Sequence, residues 1–367
     1  MTDAVEILLR SHWLPTLGQM MGQLTPLSPL GVGTPQGDHK GELQASGLLD
    51  VEGNVQERFQ PILRGLARPT RLARLRYAAP DRQLEYQAFF NGDGEPVGMV
   101  STEDGFRLDW PASPGTALSV VAEYAGVSSD PQIAVVLELP VLEARVALAL
   151  VDATRQQFLV KTTMEEEPTV ALVTPEAIAE RLVPEAGHLN RLETLYRELE
   201  VPDTPLDAGA VGYALSSLAG KGLTQHQEGA YAAAGYLLDL AANLLLVNGF
   251  FQFDAVEGTQ AGQVDAGRGI VVQGGPRALL LMQHDAGQIK MTGLTGEAFY
   301  AMVGPLFGAE LAEGHAEAQP AEVHAPPATP EPAPAPEAAA SPKFCGKCGK
   351  PVDAGMKFCG KCGNPMG

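Results

Sequence analysis

The sequence predicts an α+β protein in three parts: an internally duplicated body of helices on an antiparallel sheet, a disordered Pro/Ala-rich linker and a small C-terminal module that carries every cysteine. Three observations predict this fold class. A weak internal repeat runs through the body, hairpin-type turns separate strand-like segments, and helix-like segments frame each copy. We place the copies at residues 1–165 and 166–313, the linker at 314–342 and the module at 343–367, and we expect each copy to pack its helices on one face of the sheet.

The repeat is clearest where residues 43–77 align with residues 217–253. Both segments are typical of a helix, a Gly-Leu turn, a second helix and an extended apolar stretch. The aligned positions are Gly47-Leu48 with Gly222-Leu223, Gly53 with Gly229, and Leu66-Ala67 with Leu240-Ala241. We infer that one supersecondary unit occurs twice.

The strands of each copy follow from alternation and turn signals. Polar and apolar residues alternate over 74–77, and Asp-Gly pairs at 93–94 and 104–105 mark turns. In the second copy, strands are predicted over 270–272, 278–282 and 288–291. Such short connections favour antiparallel pairing.

Helices are predicted at the start and end of each copy. Thr2 and Thr174 are N-cap candidates for opening helices, and residues 116–124 and 295–307 are predicted to form closing helices. Between the copies, Pro140 divides a predicted strand over 133–139 from a predicted helix over 141–159. These two elements could not be assigned to either copy.

The C-terminal module repeats one short motif. K-F-C-G-K-C-G-K-P at 343–351 matches K-F-C-G-K-C-G-N-P at 357–365. Each C-x-x-C can aim two thiolates at one ion, and four thiolates form the closed tetrahedral set of a structural zinc ion. The pattern resembles the zinc-ribbon family of short bacterial tail domains. It predicts one structural Zn²⁺ per chain, held by Cys345, Cys348, Cys359 and Cys362, with iron, disulfides and a redox role as the alternatives.

Charge and composition restrict the classes of partner. The chain carries a net charge of −19, and the body together with the linker, residues 1–342, is near −23 because the module has five lysines and one acid. Phosphate backbones are repelled by such a field, so the body is expected to bind protein and not nucleic acid. The longest apolar run, 237–253, is short and contains Asp239, Asn243 and Asn248, which predicts no membrane insertion. With no basic segment near residue 1, a cytoplasmic protein is expected.

The body also resembles a known family. The residues that carry the resemblance are G-L-L-D-x-x-G-x-V at 47–55, L-x-x-L-A-R-P at 63–69 and the strand that follows at 72–77. This pattern resembles the ESX-secretion-associated EspG family. The resemblance implies a pseudo-twofold α+β fold and a cytosolic chaperone of type VII secretion that binds helical-hairpin proteins. No client-contacting residue lies within the matching string.

No catalytic constellation is evident, so we predict no enzyme, no catalytic residue and no bound organic cofactor. The glycines of 31–37 lack the preceding strand and the spacing of a phosphate loop. The arginines between 64 and 82 could contact phosphate or an acidic partner, but a strand face paired with nearby acids is the simpler interpretation. The histidines, among them His12 and His39, show no ligand spacing.

The leading hypothesis is therefore a protein-binding adaptor or chaperone, whose client the sequence does not name, with a tethered ribbon. A nucleic-acid-associated regulator acting through the basic ribbon is one alternative. An unrecognised enzyme with an accessory ribbon is the other.

Overall fold

The computed structural model describes residues 7–34, 37, 39–92, 94–126, 128–183, 191–199, 201, 204–259, 262–275, 277–309, 343–344 and 351–352. The chain divides into two compact units, Met1–Ala321 and Glu322–Gly367. The predicted linker and the four cysteines lie outside the described residues.

The first unit contains helices and strands in a mixed order. Its helices are α1 (Leu14–Met21), α2 (Lys40–Ala45), α3 (Gln60–Ala67), α4 (Pro114–Ala125), α5 (Val141–Thr163), α6 (Pro175–Arg181), α7 (Leu192–Leu195), α8 (Ala208–Gly220), α9 (Tyr236–Asn243) and α10 (Gly296–Val303). Its strands are β1 (Ile7–Arg10), β2 (Arg71–Ala79), β3 (Arg82–Phe90), β4 (Val97–Thr102), β5 (Gly105–Asp109), β6 (Val136–Pro140), β7 (Thr224–Gln227), β8 (Ala230–Ala233), β9 (Val247–Thr259), β10 (Gly262–Gly274), β11 (Ala278–Asp285) and β12 (Gln288–Leu294). The second unit contains β13 (Lys343–Phe344) and β14 (Pro351–Val352).

Ten strands form one antiparallel sheet in the order β1-β5-β4-β3-β2-β9-β10-β11-β12-β6. The order is the same when it is read outward from the central β2–β9 pair in either direction: a four-strand meander, then a strand from earlier in the chain. The predicted α+β class and the duplication are confirmed by this arrangement.

The Gly-Leu turns of the two copies are built alike. Gly47 and Gly222 have φ of 77° and 72°, a left-handed conformation that favours glycine at a helix C-terminus. The next amide closes the turn in both copies: Leu48 N donates to Leu43 O at 3.0 Å, and Leu223 N donates to Leu218 O at 2.9 Å. All four leucines are buried. The alignment made from sequence therefore matches equivalent turns.

Helices cover both faces of the sheet, so the expectation of one covered face was wrong. Adjacent residues of a strand point to opposite faces. Phe250 belongs to a buried apolar cluster that includes residues of α5, α6, α8 and α9, and on the same face Val256 belongs to a cluster with residues of α1 and α3. Phe251, on the other face, packs with α4 and α10. The half that contains β1 to β5 and the half that contains β9 to β12 with β6 therefore each contribute helices to both faces of the sheet.

The strand and helix that could not be assigned from sequence lie beside the second meander. β6 pairs with β12, with Leu139 opposite Ile289, and α5 packs on α8 and α9. The boundary between the copies at residues 165 and 166 stays a prediction. β6 and α5 precede residue 165 in the sequence, but they contact strands and helices that follow residue 166.

The helix starts were predicted with mixed success. Thr174 and Thr295 cap α6 and α10, accepting hydrogen bonds from Ala177 N at 3.3 Å and Ala298 N at 2.9 Å. The helix expected after Thr2 falls partly outside the described residues, and residues 7–10 form β1 instead.

Within the described ranges, no helix has the length and apolar character to cross a bilayer.

Candidate functional site

The tail contains the sequence-predicted metal ligands. β13 and β14 pair antiparallel, with Lys343 opposite Val352 and Phe344 opposite Pro351. The first C-x-x-C lies between these strands in sequence. The placement of Cys345, Cys348, Cys359 and Cys362 lies outside the described residues, and they remain predicted ligands. Four thiolate donors suit zinc.

Residues 344–366 match a zinc-ribbon domain. No curated protein matches the chain. Among solved structures, the Mycobacterium tuberculosis type VII secretion system chaperone EspG5, in complex with the PE25-PPE41 dimer, is similar with a TM-score of 0.44 and 11% sequence identity. That similarity covers 82% of this chain and 94% of the EspG5 chain. The match over residues 344–366 confirms the zinc-ribbon resemblance predicted for the tail.

The arginine run lies largely on the central strands and is engaged within the body. Arg74 binds Asp254 through both carboxylate oxygens, with Nε 3.0 Å from Oδ1 and Nη2 2.7 Å from Oδ2. Asp254 is buried, so this pair joins β2 to β9 at the centre of the sheet. Arg76 lies 3.8 Å from Glu198. These contacts match the interpretation of a strand face paired with acids.

A cavity of about 390 Å³ lies where β2, β3 and β9 meet. Arg71 lines it, but its guanidinium donates to the carbonyl of Pro305 at 3.1 Å and lies 4.7 Å over the ring of Phe90. These contacts hold the side chain in place. Arg71 therefore joins the central strand to the segment after α10.

The two outer strands of the sheet differ in how they meet solvent. β1 pairs with β5 on one side, from Ile7–Leu108 to Arg10–Gly105, and its side chains alternate between buried and exposed. Leu8, on the exposed face, is 53% exposed. At the opposite edge, β6 carries exposed Glu138 and ends at Pro140, which has no amide hydrogen to donate. Charged residues and proline are common devices that discourage edge pairing.

A cluster of two imidazoles and one carboxylate was missed by sequence reasoning. His12 lies in the 3-10 turn Ser11–Trp13, His39 precedes α2, and Glu42 lies in the first turn of α2. His12 Nε2 is 3.0 Å from Glu42 Oε2, and His39 Nδ1 is 3.5 Å from Glu42 Oε1. Hydrogen bonds from His12 and then from the Trp13 indole lower the pKa of Glu42 to about 2.

Part of that cluster had a sequence signal. His39 and Glu42 are three residues apart at a helix start, a spacing that places both on one side of a helix. His12 could not be found in this way, because only the packing of Ser11–Trp13 against α2 brings it close.

The half of the body that contains β9 to β12, together with β6 and α5, has a buried charged cluster. Arg155 forms an ion pair with Asp152, and both side chains are almost fully buried. Glu193 is also buried, and its amide donates to Asp152 Oδ2 at 3.1 Å. Burial, and then the neighbouring Asp152, raises the pKa of Glu193 far above its usual range, although Arg191 Nη1 lies 3.7 Å away and opposes this shift. The cluster ties α5 to α7 beneath the surface.

Proposed function

We propose that this chain is a non-enzymatic, cytosolic protein-binding adaptor or chaperone whose body captures its client at the edge strand β1. The observation that carries the proposal is the difference between the two sheet edges. β1 combines an unpaired outer side, among the described residues, with an exposed leucine. β6 has Glu138 at the position equivalent to Leu8, and it has Pro140 at the position equivalent to the exposed Arg10 of β1.

An open edge supports this function for a physical reason. The outer amide and carbonyl groups of an edge strand can hydrogen-bond an added strand, and alternate side chains then contact the newcomer. Leu8 supplies apolar surface on that strand. A client segment with extended conformation and an apolar residue opposite Leu8 suits this edge.

The zinc ribbon is proposed to bind one structural Zn²⁺ and to act as a second contact. The ribbon is rich in lysine, whereas the body is acidic. The ribbon can therefore attract an acidic segment of the same client. A ribbon tethered by a Pro/Ala-rich linker increases the effective concentration of that contact near the body.

The test compares two substitutions of exposed apolar residues in the full-length chain. Leu8→Lys places a charge on the edge strand β1. Val51→Lys is the control, because it places the same charge at a turn between α2 and α3, where Val51 is 96% exposed. The free energy of unfolding of both variants is expected to lie within about 0.5 kcal/mol of the wild-type value. Leu8→Lys is expected to lower client capture about tenfold, measured by affinity capture from the native host followed by quantitative mass spectrometry.

Hydrogen exchange supplies the second measurement. Amides of residues 7–10 are expected to gain protection when the captured client is added back. Equal capture by Leu8→Lys and Val51→Lys, or protection confined to other strands, would contradict the proposal. Capture of nucleic acid in place of protein would favour the regulator hypothesis.

A further inference from the structure

We propose that the body binds a divalent transition-metal ion through His12, His39 and Glu42, separately from the zinc ribbon. One ligand atom from each of these residues lies within 4.8 Å of the other two. The inference is independent of the proposed function.

Two of the ligand-atom distances are close to those expected around a tetrahedral ion. Zinc–nitrogen and zinc–oxygen bonds of about 2.0–2.1 Å place neighbouring ligand atoms roughly 3.3 Å apart. Here the separations are 3.0 Å from His12 Nε2 to Glu42 Oε2 and 3.5 Å from His39 Nδ1 to Glu42 Oε1. The two distances end on different oxygens of Glu42, and one ligand atom from each residue lies within 4.8 Å of the other two. Side-chain adjustments that draw these three atoms together would admit an ion.

The groups around the three residues support this role. The Trp13 indole donates to Glu42 Oε2 at 2.8 Å and fixes the carboxylate between the imidazoles, as outer-shell donors do in metal sites. His39 Nε2 is buried and has no hydrogen-bond partner within the described residues. Nδ1 of the same ring faces Glu42, so Nδ1 is the nitrogen placed to bind the ion.

The donor set selects the class of ion. Two imidazoles and one carboxylate suit Zn²⁺, Co²⁺, Ni²⁺ or Cu²⁺, whereas Ca²⁺ and Mg²⁺ prefer oxygen ligands. With three protein ligands, a tetrahedral ion keeps one open position. The side chains of His12 and Glu42 are 45% and 48% exposed, so water or an exogenous ligand can reach that position. The ion would link the Ser11–Trp13 turn to α2.

Cobalt distinguishes this site from the ribbon in the full-length protein. Cobalt in a four-thiolate site gives sulfur-to-metal charge-transfer absorption, whereas a site with two imidazoles and one carboxylate gives only weak ligand-field bands. Titration of the metal-free, reduced chain with Co²⁺ is expected to show two equivalents, one of each spectral type.

Three ligand variants and one control assign the second equivalent. His12→Ala, His39→Ala and Glu42→Gln are each expected to weaken the sulfur-free site at least about tenfold and to leave the ribbon bands unchanged. His226→Ala removes an exposed histidine of β7 beside Tyr231 and is expected to retain both equivalents.

Glu42→Gln keeps an oxygen that can accept the Trp13 hydrogen bond, so this variant separates lost ligation from lost folding. Wild-type protein without a sulfur-free equivalent would overturn the site. Unchanged affinity in Glu42→Gln, with its thermal transition preserved, would overturn it as well.

Discussion

The two halves of the body share one sheet but differ in whether their clusters of charged side chains are exposed or buried. Outside β2, the first half continues through β3, β4, β5 and β1, and outside β9 the second continues through β10, β11, β12 and β6. The first half keeps its principal carboxylate–imidazole cluster at the surface, whereas the second buries Asp152, Arg155 and Glu193. The strand order is thus common to both halves, while the helical layer has diverged.

The lengths of the helices explain this difference. The helices that open the first half, α1 to α3, have 8, 6 and 8 residues, whereas α5 has 23 residues and is buried along its first half. A long helix that is enclosed on all sides must also enclose any polar residue that it carries. Such residues then need partners, and Arg155 and Asp152 provide them for each other.

The largest expected effect tests this contrast directly. Arg155→Ala leaves Asp152 as an uncompensated buried charge and removes a donor to the carbonyls of Leu244 and Leu245. We expect a loss of about 3–5 kcal/mol in the free energy of unfolding, measured by urea denaturation. Arg64→Ala, an exposed arginine of the first half that bonds Gln60, is the control and is expected to cost less than about 0.5 kcal/mol. Similar losses in both variants would contradict the contrast.

The next effect concerns pH. The pKa of Glu193 is raised in the folded state, whereas the unfolded carboxyl releases its proton near pH 4.5. The folded chain therefore holds an extra proton above about pH 4.5, and its stability falls as pH rises, with a slope of at most about 1.4 kcal/mol per pH unit. Glu193→Gln is expected to flatten this slope between pH 5 and 8.

The matched control for this effect is Glu180→Gln, on the exposed side of α6. It is expected to retain the wild-type slope in the same denaturation series. A Glu193→Gln variant with the wild-type slope would show that the carboxyl is ionised in the folded protein.

The smallest effect tests where the halves agree. Gly47→Ala and Gly222→Ala place a side chain in a left-handed conformation, and each is expected to cost about 1 kcal/mol in thermal or urea unfolding. Gly41→Ala, within α2 and with open space around it, is expected to stabilise by about 0.5–1 kcal/mol. Clearly unequal costs at the two turns would break the equivalence of the copies.

Local features of the fold could be predicted from sequence. The Gly-Leu turns were found because glycine conformation and the next leucine's burial depend on a few adjacent residues. The helix at Thr295 was found because its cap is also local. The pairing of Arg74 with an acid was expected in kind, although the partner, Asp254, comes from the other half.

Long-range features could not be predicted. β6 pairs with β12 across a large sequence separation, and no periodicity within residues 136–140 records that partner. The cluster of His12, His39 and Glu42 could not be predicted either, because His12 comes close to Glu42 only when α2 packs beside the 3-10 turn. The coverage of both faces was missed for a similar reason: strand alternation shows two apolar faces without naming the helices that cover them.

The β2–β9 seam has a consequence for how such a molecule can arise. Its pairs run antiparallel from Arg71–Glu257 to Ala78–Phe250, at the centre of the strand order that the halves share. In separate copies, the same contact would be an isologous dimer held together by two identical edges. Covalent fusion makes that association intramolecular and independent of protein concentration. It also frees each half from sequence identity, so that Pro140 can end β6 at one outer edge while β1 exposes Leu8 at the other.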